Sequence, residues 1–117
     1  MLIVVGALAG VAGVALSAMA AHAPGGPNLD TAARFCLVHA PALLGIAALS
    51  AGGAVSPGLG RIAGWLLVLG LALFCGDLVM RALRGAALFP MASPVGGFLL
   101  MGGRGMLAVA ALVRLVR

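Results

Sequence analysis

Four long apolar stretches, nearly free of charged side chains, dominate this sequence. The first, Met1–Ala21, has no charged side chain and is long enough to cross the roughly 30 Å hydrocarbon core of a bilayer as a helix. Soluble domains carry about 25% charged residues, whereas this chain has 8% and is 64% hydrophobic. A core of 117 residues is too small to bury so much apolar surface. The sequence therefore predicts an integral membrane protein.

Three short segments, at residues 22–30, 54–60 and 81–94, separate the apolar stretches. Their Gly and Pro residues interrupt helices, so we expect turns there. Because lipid cannot satisfy backbone polar groups, spans are helices or closed barrels, and helices joined by such short loops are antiparallel neighbours. We predict an all-α membrane protein, with four transmembrane helices in an antiparallel bundle and a single integral membrane domain over residues 1–117. The predicted helices are about 1–21, 32–52, 61–80 and 95–113.

The net charge of +5 comes from seven basic and two acidic residues. Most of them flank apolar stretches, where arginine reaches lipid headgroups, so the pattern favours a bilayer over nucleic acid as partner. Small residues near Ala21 are typical of a signal-peptide cleavage site, but no base precedes the apolar run, and we expect it to remain a helix. The terminal amine, with Arg114 and Arg117, favours both termini in the cytoplasm.

Small residues mark helix-packing faces in the first and fourth predicted helices. Gly6, Gly10 and Gly13 are four and three residues apart, so they share one helix face. Gly96 and Gly97 stand at the start of the fourth helix. Small residues let helices approach closely in lipid. Contacts within the chain, a homo-oligomer and an unknown membrane protein partner all remain open.

Besides Arg34 and Arg61 in the first turns, two charged side chains fall inside the predicted spans. Asp77 lies in LALFCGDLVM, residues 71–80, and Arg104 lies in GGRG near the middle of the fourth span. A charge at the centre of a span costs about 2.5–3.5 kcal/mol on insertion scales. Because the two spans are predicted to be antiparallel neighbours, we expect an intramembrane Asp77–Arg104 ion pair.

Further polar side chains fall in the same half of the membrane and form a predicted polar cluster, either a vestibule or an internal hydrogen-bond network: Arg34, Cys36, His39, Cys75 and His22. We expect His39 to make a structural hydrogen bond. Two cysteines make no disulfide framework. Cys36 and His39 share a helix face, and Cys75 is a further soft ligand, but no paired metal-binding spacing is present. We therefore predict no metal site and no cofactor.

The sequence also lacks recognisable catalytic motifs. It contains no GxSxG, no HExxH and no phosphate-binding loop, and its only acidic residues are Asp30 and Asp77. General acid–base chemistry therefore has few candidate groups. We predict that the protein is not an enzyme.

Four parts of the sequence, taken in order along the chain, form a pattern: AAH at 20–22, TAARFCLVHAPALL at 31–44, AGWLLVLGLALFCGDL at 63–78, and PVGG followed by GGR at 94–104. Through them the chain resembles the small four-helix bacterial membrane proteins grouped as domain of unknown function 423, over roughly residues 6–113. The resemblance implies a four-helix architecture in the bacterial inner membrane and no known activity. Residues that match the family pattern are His22, His39, Trp65, Gly76, Pro94, Gly96 and Gly97. Asp77 and Arg104 replace a Ser and a Trp of that pattern.

Three functions remain open. The favoured one is a non-enzymatic scaffold, accessory subunit or homo-oligomer, because no catalytic set is present. The second is a small transporter or proton/ion pathway using Asp77, Arg104 and His39. The third, a redox or metal enzyme, requires the two histidines and the two cysteines to converge.

Overall fold

The computed structural model describes residues 1–22 and 26–116. This part of the chain forms four α-helices and no strand: α1 (Leu2–His22), α2 (Gly26–Ala51), α3 (Pro57–Arg84) and α4 (Ala92–Leu115). Each helix is long and apolar enough to cross a membrane. The predicted all-α fold with four apolar helices is confirmed.

Three of the four helices, α2, α3 and α4, begin earlier than the sequence predicted. Residues 23–25 lie outside the described part, but the turn predicted for 26–30 is wrong, because α2 starts at Gly26. Pro27, Pro57 and Pro94 each stand in the first turn of a helix. Proline is tolerated there, since its missing N–H has no intrahelical acceptor and its fixed φ suits the helix. Prolines that were interpreted as interruptions are therefore helix starts.

The helices pack in sequence order. The α1–α2 and α3–α4 contacts are extensive, α2 also packs on α3, and α1 hardly touches α3. A Cβ on Gly6 would lie 3.2 Å from the Leu43 Cβ, and a Cβ on Gly13 would lie 2.7 Å from the Leu37 side chain. The small residues of α1 thus allow α2 to approach closely.

The α3–α4 seam, defined by Gly70 and Phe74 on α3 against Gly96 on α4, is equally close. A Cβ on Gly70 would lie 2.8 Å from the Gly96 carbonyl oxygen, and one on Gly96 would lie 2.6 Å from the Phe74 backbone nitrogen. Gly97 differs, because a Cβ there would meet nothing within 4 Å. The packing role predicted for Gly97 is therefore not seen within the described bundle.

The buried core lies mainly between α2 and α3. Its largest fully buried side chains include Leu43, Ile46 and Leu67. The outer surfaces remain apolar: Val11 on α1 is 68% exposed and Phe98 on α4 is 69% exposed. Large apolar patches on a free surface mark contact with a membrane or a partner. The exposed faces thus suit lipid as the surrounding solvent.

The last turns of α4 close the loop between α2 and α3. The Ser56 backbone N–H donates to the Ala110 carbonyl at 3.2 Å. The Arg114 Nε–H donates to the Gly53 carbonyl at 2.8 Å. Val55, between these two bonds, is buried. The loop at residues 52–56 is therefore stabilised by a helix that comes much later in the chain.

Candidate functional site

Asp77 is fully buried, at 0% exposure, near the end of α3. Its Oδ2 accepts hydrogen bonds from Arg81 Nε at 2.8 Å and from the Ser93 hydroxyl at 2.5 Å. Its Oδ1 accepts from the Leu88 backbone N–H at 2.8 Å. One carboxylate thus ties the connection between α3 and α4, and the first turn of α4, to the end of α3.

The predicted Asp77–Arg104 ion pair is wrong, because Asp77 pairs with Arg81 instead. Arg81 follows by four residues on the same helix, where side chains at that spacing meet without any interhelical adjustment. The Arg81 side chain remains 48% exposed, so its charge reaches toward the headgroup region. The cost of burying Asp77 is met by a neighbour one turn away and by the folded connection.

Arg104 contacts a histidine rather than an acid. Its Nη2 lies 3.5 Å from His39 Nε2. His39 Nδ1 lies 2.7 Å from the Phe35 carbonyl oxygen, and since a carbonyl only accepts, Nδ1 is assigned the hydrogen. Neutral His39 then presents the lone pair of Nε2 to the guanidinium. The histidine makes the structural hydrogen bond within α2 and contacts α4 as well.

A cleft opens beside this contact, because α2 does not pack closely on α4. It has a volume of about 350 Å³ and is lined by Phe35, His39, Phe74, Pro94, Gly97, Phe98, Leu100, Met101 and Arg104. An adjoining space of about 260 Å³ is lined by Arg34, Phe35, Val38, His39 and Arg104. We call the first space the α2–α4 cleft. Its walls are apolar apart from Arg104 and His39.

The two cysteines meet in the core between α2 and α3. Cys36 Sγ lies 3.7 Å from Cys75 Sγ, and the Cys75 thiol also lies 3.5 Å from the Ala32 carbonyl oxygen. Both are buried free thiols. Small, weakly polar side chains of this kind fill the space between the helices as apolar residues do.

The predicted polar cluster thus divides into separate parts. Cys36 and Cys75 form the buried thiol pair, whereas His39 and Arg34 border the spaces beside Arg104. His22 stands exposed in the last turn of α1. Within residues 1–22 and 26–116, no group of three or more His, Cys, Asp or Glu side chains is arranged to hold a metal ion.

A second cleft lies near the opposite ends of the helices, where α1 begins, α2 ends and α3 begins. Its volume is about 540 Å³, and Arg61, Trp65 and Ser50 are among its lining residues. Ser50 Oγ is buried without a hydrogen-bond partner among the described residues. Arg61 is exposed, so this cleft presents its charge near the rim of the bundle.

Sequence reasoning missed three partners of Asp77: Arg81, Leu88 and Ser93. The Asp77–Arg81 spacing of four residues was a visible signal. The other two have no sequence signal, because they depend on how residues 85–91 fold. Met91 in that segment has φ 70°, an uncommon value for a residue with a side chain.

Comparison with known protein families gives a match over most of the chain. The family described as "Protein of unknown function (DUF423)" matches residues 16–97. The matched region contains His39 and Asp77 and ends before Arg104. No curated protein and no solved structure matches the chain.

Proposed function

The chain belongs to the DUF423 family of proteins of unknown function, and from its own residues we propose a non-enzymatic structural component that self-associates in the bacterial inner membrane. The four apolar helices make it a small membrane protein. The proposal concerns what this bundle does there: it packs against a second copy of itself.

The outward face of α4, defined by Gly97, Gly102 and Gly105, carries this proposal. A Cβ at any of the three would meet nothing within 4 Å. By contrast, a Cβ on Gly103 would lie 2.8 Å from Leu67 on α3. Glycine lowers helix stability relative to alanine by about 1 kcal/mol in water. Three glycines that no internal contact requires are accounted for if another helix approaches this face closely.

A second copy is the occupant that the surface favours. Two-fold pairing brings the same patch of each copy together and closes the assembly. Phe98 and Met101 on α4 are 69% and 62% exposed and supply apolar contact area around the glycines. A glycine face bordered by large apolar side chains is suited to helix pairing in lipid, where close packing replaces the hydrophobic effect.

The orientation is part of the proposal. We place both termini in the cytoplasm, where Arg61 and Arg114 would join them on the same side. Thiol labelling of a cysteine added after the C-terminus, from either side of inverted and right-side-out vesicles, tests this. Labelling from the periplasmic side only would reverse the orientation.

Disulfide cross-linking in native membranes tests self-association. In a Cys36→Ala, Cys75→Ala background, Gly102→Cys is compared with Val11→Cys, an outward position on α1. We expect an oxidised dimer with Gly102→Cys and mostly monomer with Val11→Cys. Equal cross-linking at both positions, or cross-linking of Gly102→Cys to a different polypeptide only, would overturn self-association through α4.

A second candidate, a small transporter, is favoured by the α2–α4 cleft with Arg104 and His39 on its wall. Asp77 no longer belongs to that pathway, since its oxygens already accept three hydrogen bonds. Flux of protons or anions in proteoliposomes that disappears in Arg104→Gln and persists in Arg61→Gln would favour transport over a structural role.

A further inference from the structure

We propose that the α2–α4 cleft binds a long-chain fatty acid, with the carboxylate on Arg104 and the alkyl chain between the apolar walls. This site goes beyond the self-association proposed above and does not rest on it. Four features of the described residues lead to it: the charge of Arg104, its depth, the walls of the cleft and the open side of the guanidinium.

Within residues 1–22 and 26–116, the charge of Arg104 has no acidic partner. The sequence has only two acidic side chains, and each pairs with an arginine four residues later on its own helix. Asp30 bonds Arg34 at 2.9 Å, and Asp77 bonds Arg81 at 2.8 Å. A guanidinium stays protonated under all ordinary conditions, and a charge within an apolar span requires compensation. An anion from outside the chain would supply it.

The depth of Arg104 selects among anions. It lies near the middle of α4 (Ala92–Leu115), roughly 17 Å along the helix from either end at 1.5 Å per residue. His39, its contact, lies near the middle of α2 (Gly26–Ala51). Phospholipid phosphates remain at the interface, and inorganic anions do not enter hydrocarbon. A fatty acid enters in its neutral, protonated form and binds as the carboxylate after its proton leaves to water.

The walls of the cleft suit an alkyl chain. Phe35, Phe74 and Leu100, from three different helices, contribute apolar surface to a space of about 350 Å³. That volume is at the small end of the range of about 300–1,000 Å³ typical of ligand pockets. Because α2 and α4 are not closely packed, the rest of a long chain can extend between them into the lipid.

The guanidinium is oriented for an anion. Among the described residues, its hydrogen bond runs from Nη2 to His39 Nε2 at 3.5 Å. Nη2 carries a second hydrogen, so one edge of the guanidinium, formed by Nη2 with either Nη1 or Nε, remains for a carboxylate, which arginine binds through two parallel hydrogen bonds. His39 is itself held by the Phe35 carbonyl. Arg104 is therefore the anion-binding residue, and His39 is a positioning residue.

The experiment measures binding of radiolabelled palmitate to the purified full-length chain in phosphatidylcholine nanodiscs. The uncharged alcohol of the same chain length, hexadecanol, reports the contribution of the carboxylate. We expect saturable palmitate binding that hexadecanol does not match. Arg104→Gln should weaken it about tenfold or more, since a hydrogen bond to a charged group is lost. The matched control Arg61→Gln, in the other cleft, should change it by less than about twofold.

Several results would overturn the site. They are equal binding of hexadecanol, an Arg104→Gln affinity within about twofold of the original, and displacement of palmitate when phosphatidylglycerol replaces phosphatidylcholine. The last result would assign Arg104 to a phosphate headgroup.

If Arg104→Gln loses helical circular dichroism, Arg104→Lys replaces it as the test variant, because lysine keeps the charge and loses the two-pronged geometry. Palmitate binding that is unchanged in Arg104→Lys contradicts the two-pronged contact. Gly97, Phe98 and Met101 border both the cleft and the proposed dimer face, so palmitate binding and cross-linking at Gly102→Cys are measured as separate assays, and each proposal is judged by its own assay.

Discussion

Two regions of this molecule place a charge inside an apolar bundle, and they treat it in opposite ways. At the α3–α4 seam, Asp77 is fully buried and accepts three hydrogen bonds from its own chain. At the α2–α4 cleft, Arg104 is exposed, and its side-chain hydrogen bond among the described residues goes to a neutral side chain, His39. A carboxylate that accepts three hydrogen bonds within the chain stabilises the fold. A cation without an acidic partner is available to bind an anion from outside the chain.

The backbone packing follows the same division. The helix that carries Asp77, α3, meets α4 so closely at Gly70 and Gly96 that no Cβ fits between them. The helix that carries Arg104, α4, instead leaves a space of about 350 Å³ between itself and α2. Apolar contact alone brings little association between helices in lipid. Small residues and hydrogen bonds therefore decide which helices of this bundle pack closely and which remain apart.

The largest effect should come from Asp77→Ala. It leaves the Leu88 N–H and the Ser93 hydroxyl without an acceptor and Arg81 without an anion, so we expect the free energy of unfolding to fall by about 3 kcal/mol or more. Denaturant unfolding in micelles, followed by circular dichroism, measures it. Asp30→Ala removes an exposed pair at the same spacing and should cost less than about 1 kcal/mol. Similar losses in both variants would mean that the seam does not depend on Asp77.

A smaller fall in the free energy of unfolding is expected from Gly96→Ala, which tests the difference between a packed and an outward helix face. The added Cβ would lie 2.6 Å from the Phe74 nitrogen, so α3 and α4 must separate, at a cost of about 1–3 kcal/mol. Gly97→Ala is the matched control, because its Cβ meets nothing within 4 Å. The same unfolding measurement should find Gly97→Ala neutral or slightly stabilising. Equal destabilisation by the two alanines would contradict the placement of Gly96 against α3 and of Gly97 on the outward face of α4.

The smallest effect on stability should come from Arg104→Met. It removes a charge without breaking an ion pair, so we expect the free energy of unfolding to change by less than about 1 kcal/mol, or to rise. Unfolding in micelles again supplies the measurement, with Asp77→Ala as the reference. A loss as large as that of Asp77→Ala would show that Arg104 holds the fold together and that the two regions do not differ.

The sequence alone was sufficient for the helix number and the fold class, since both follow from long apolar stretches of membrane-spanning length. It was insufficient for helix rotation. A soluble helix reveals its inner face by an apolar stripe, but these helices are apolar on all sides because their solvent is also apolar. Gly96 and Gly97 therefore look alike in sequence, although one faces α3 and the other faces outward.

The site was predicted in part and for a definite physical reason. The energetic cost of placing a charge in a span correctly indicated that Asp77 has partners. The predicted partner was Arg104 on α4, whereas the observed partner is Arg81, one turn away on the same helix. The Ser93 and Leu88 contacts could not be inferred, because they need the folded geometry of residues 85–91. The α2–α4 cleft could not be predicted from the sequence either, since it exists only because α2 and α4 do not pack closely on each other.

The bond from Ser56 to Ala110 has a consequence for the order in which the protein is made. The loop at residues 52–56 leaves the ribosome about half a chain before the turn of α4 that completes it. Until then the Ser56 N–H and the Gly53 carbonyl lack these partners and must remain hydrated. The loop between α2 and α3 therefore acquires these two hydrogen bonds only after α4 has been made.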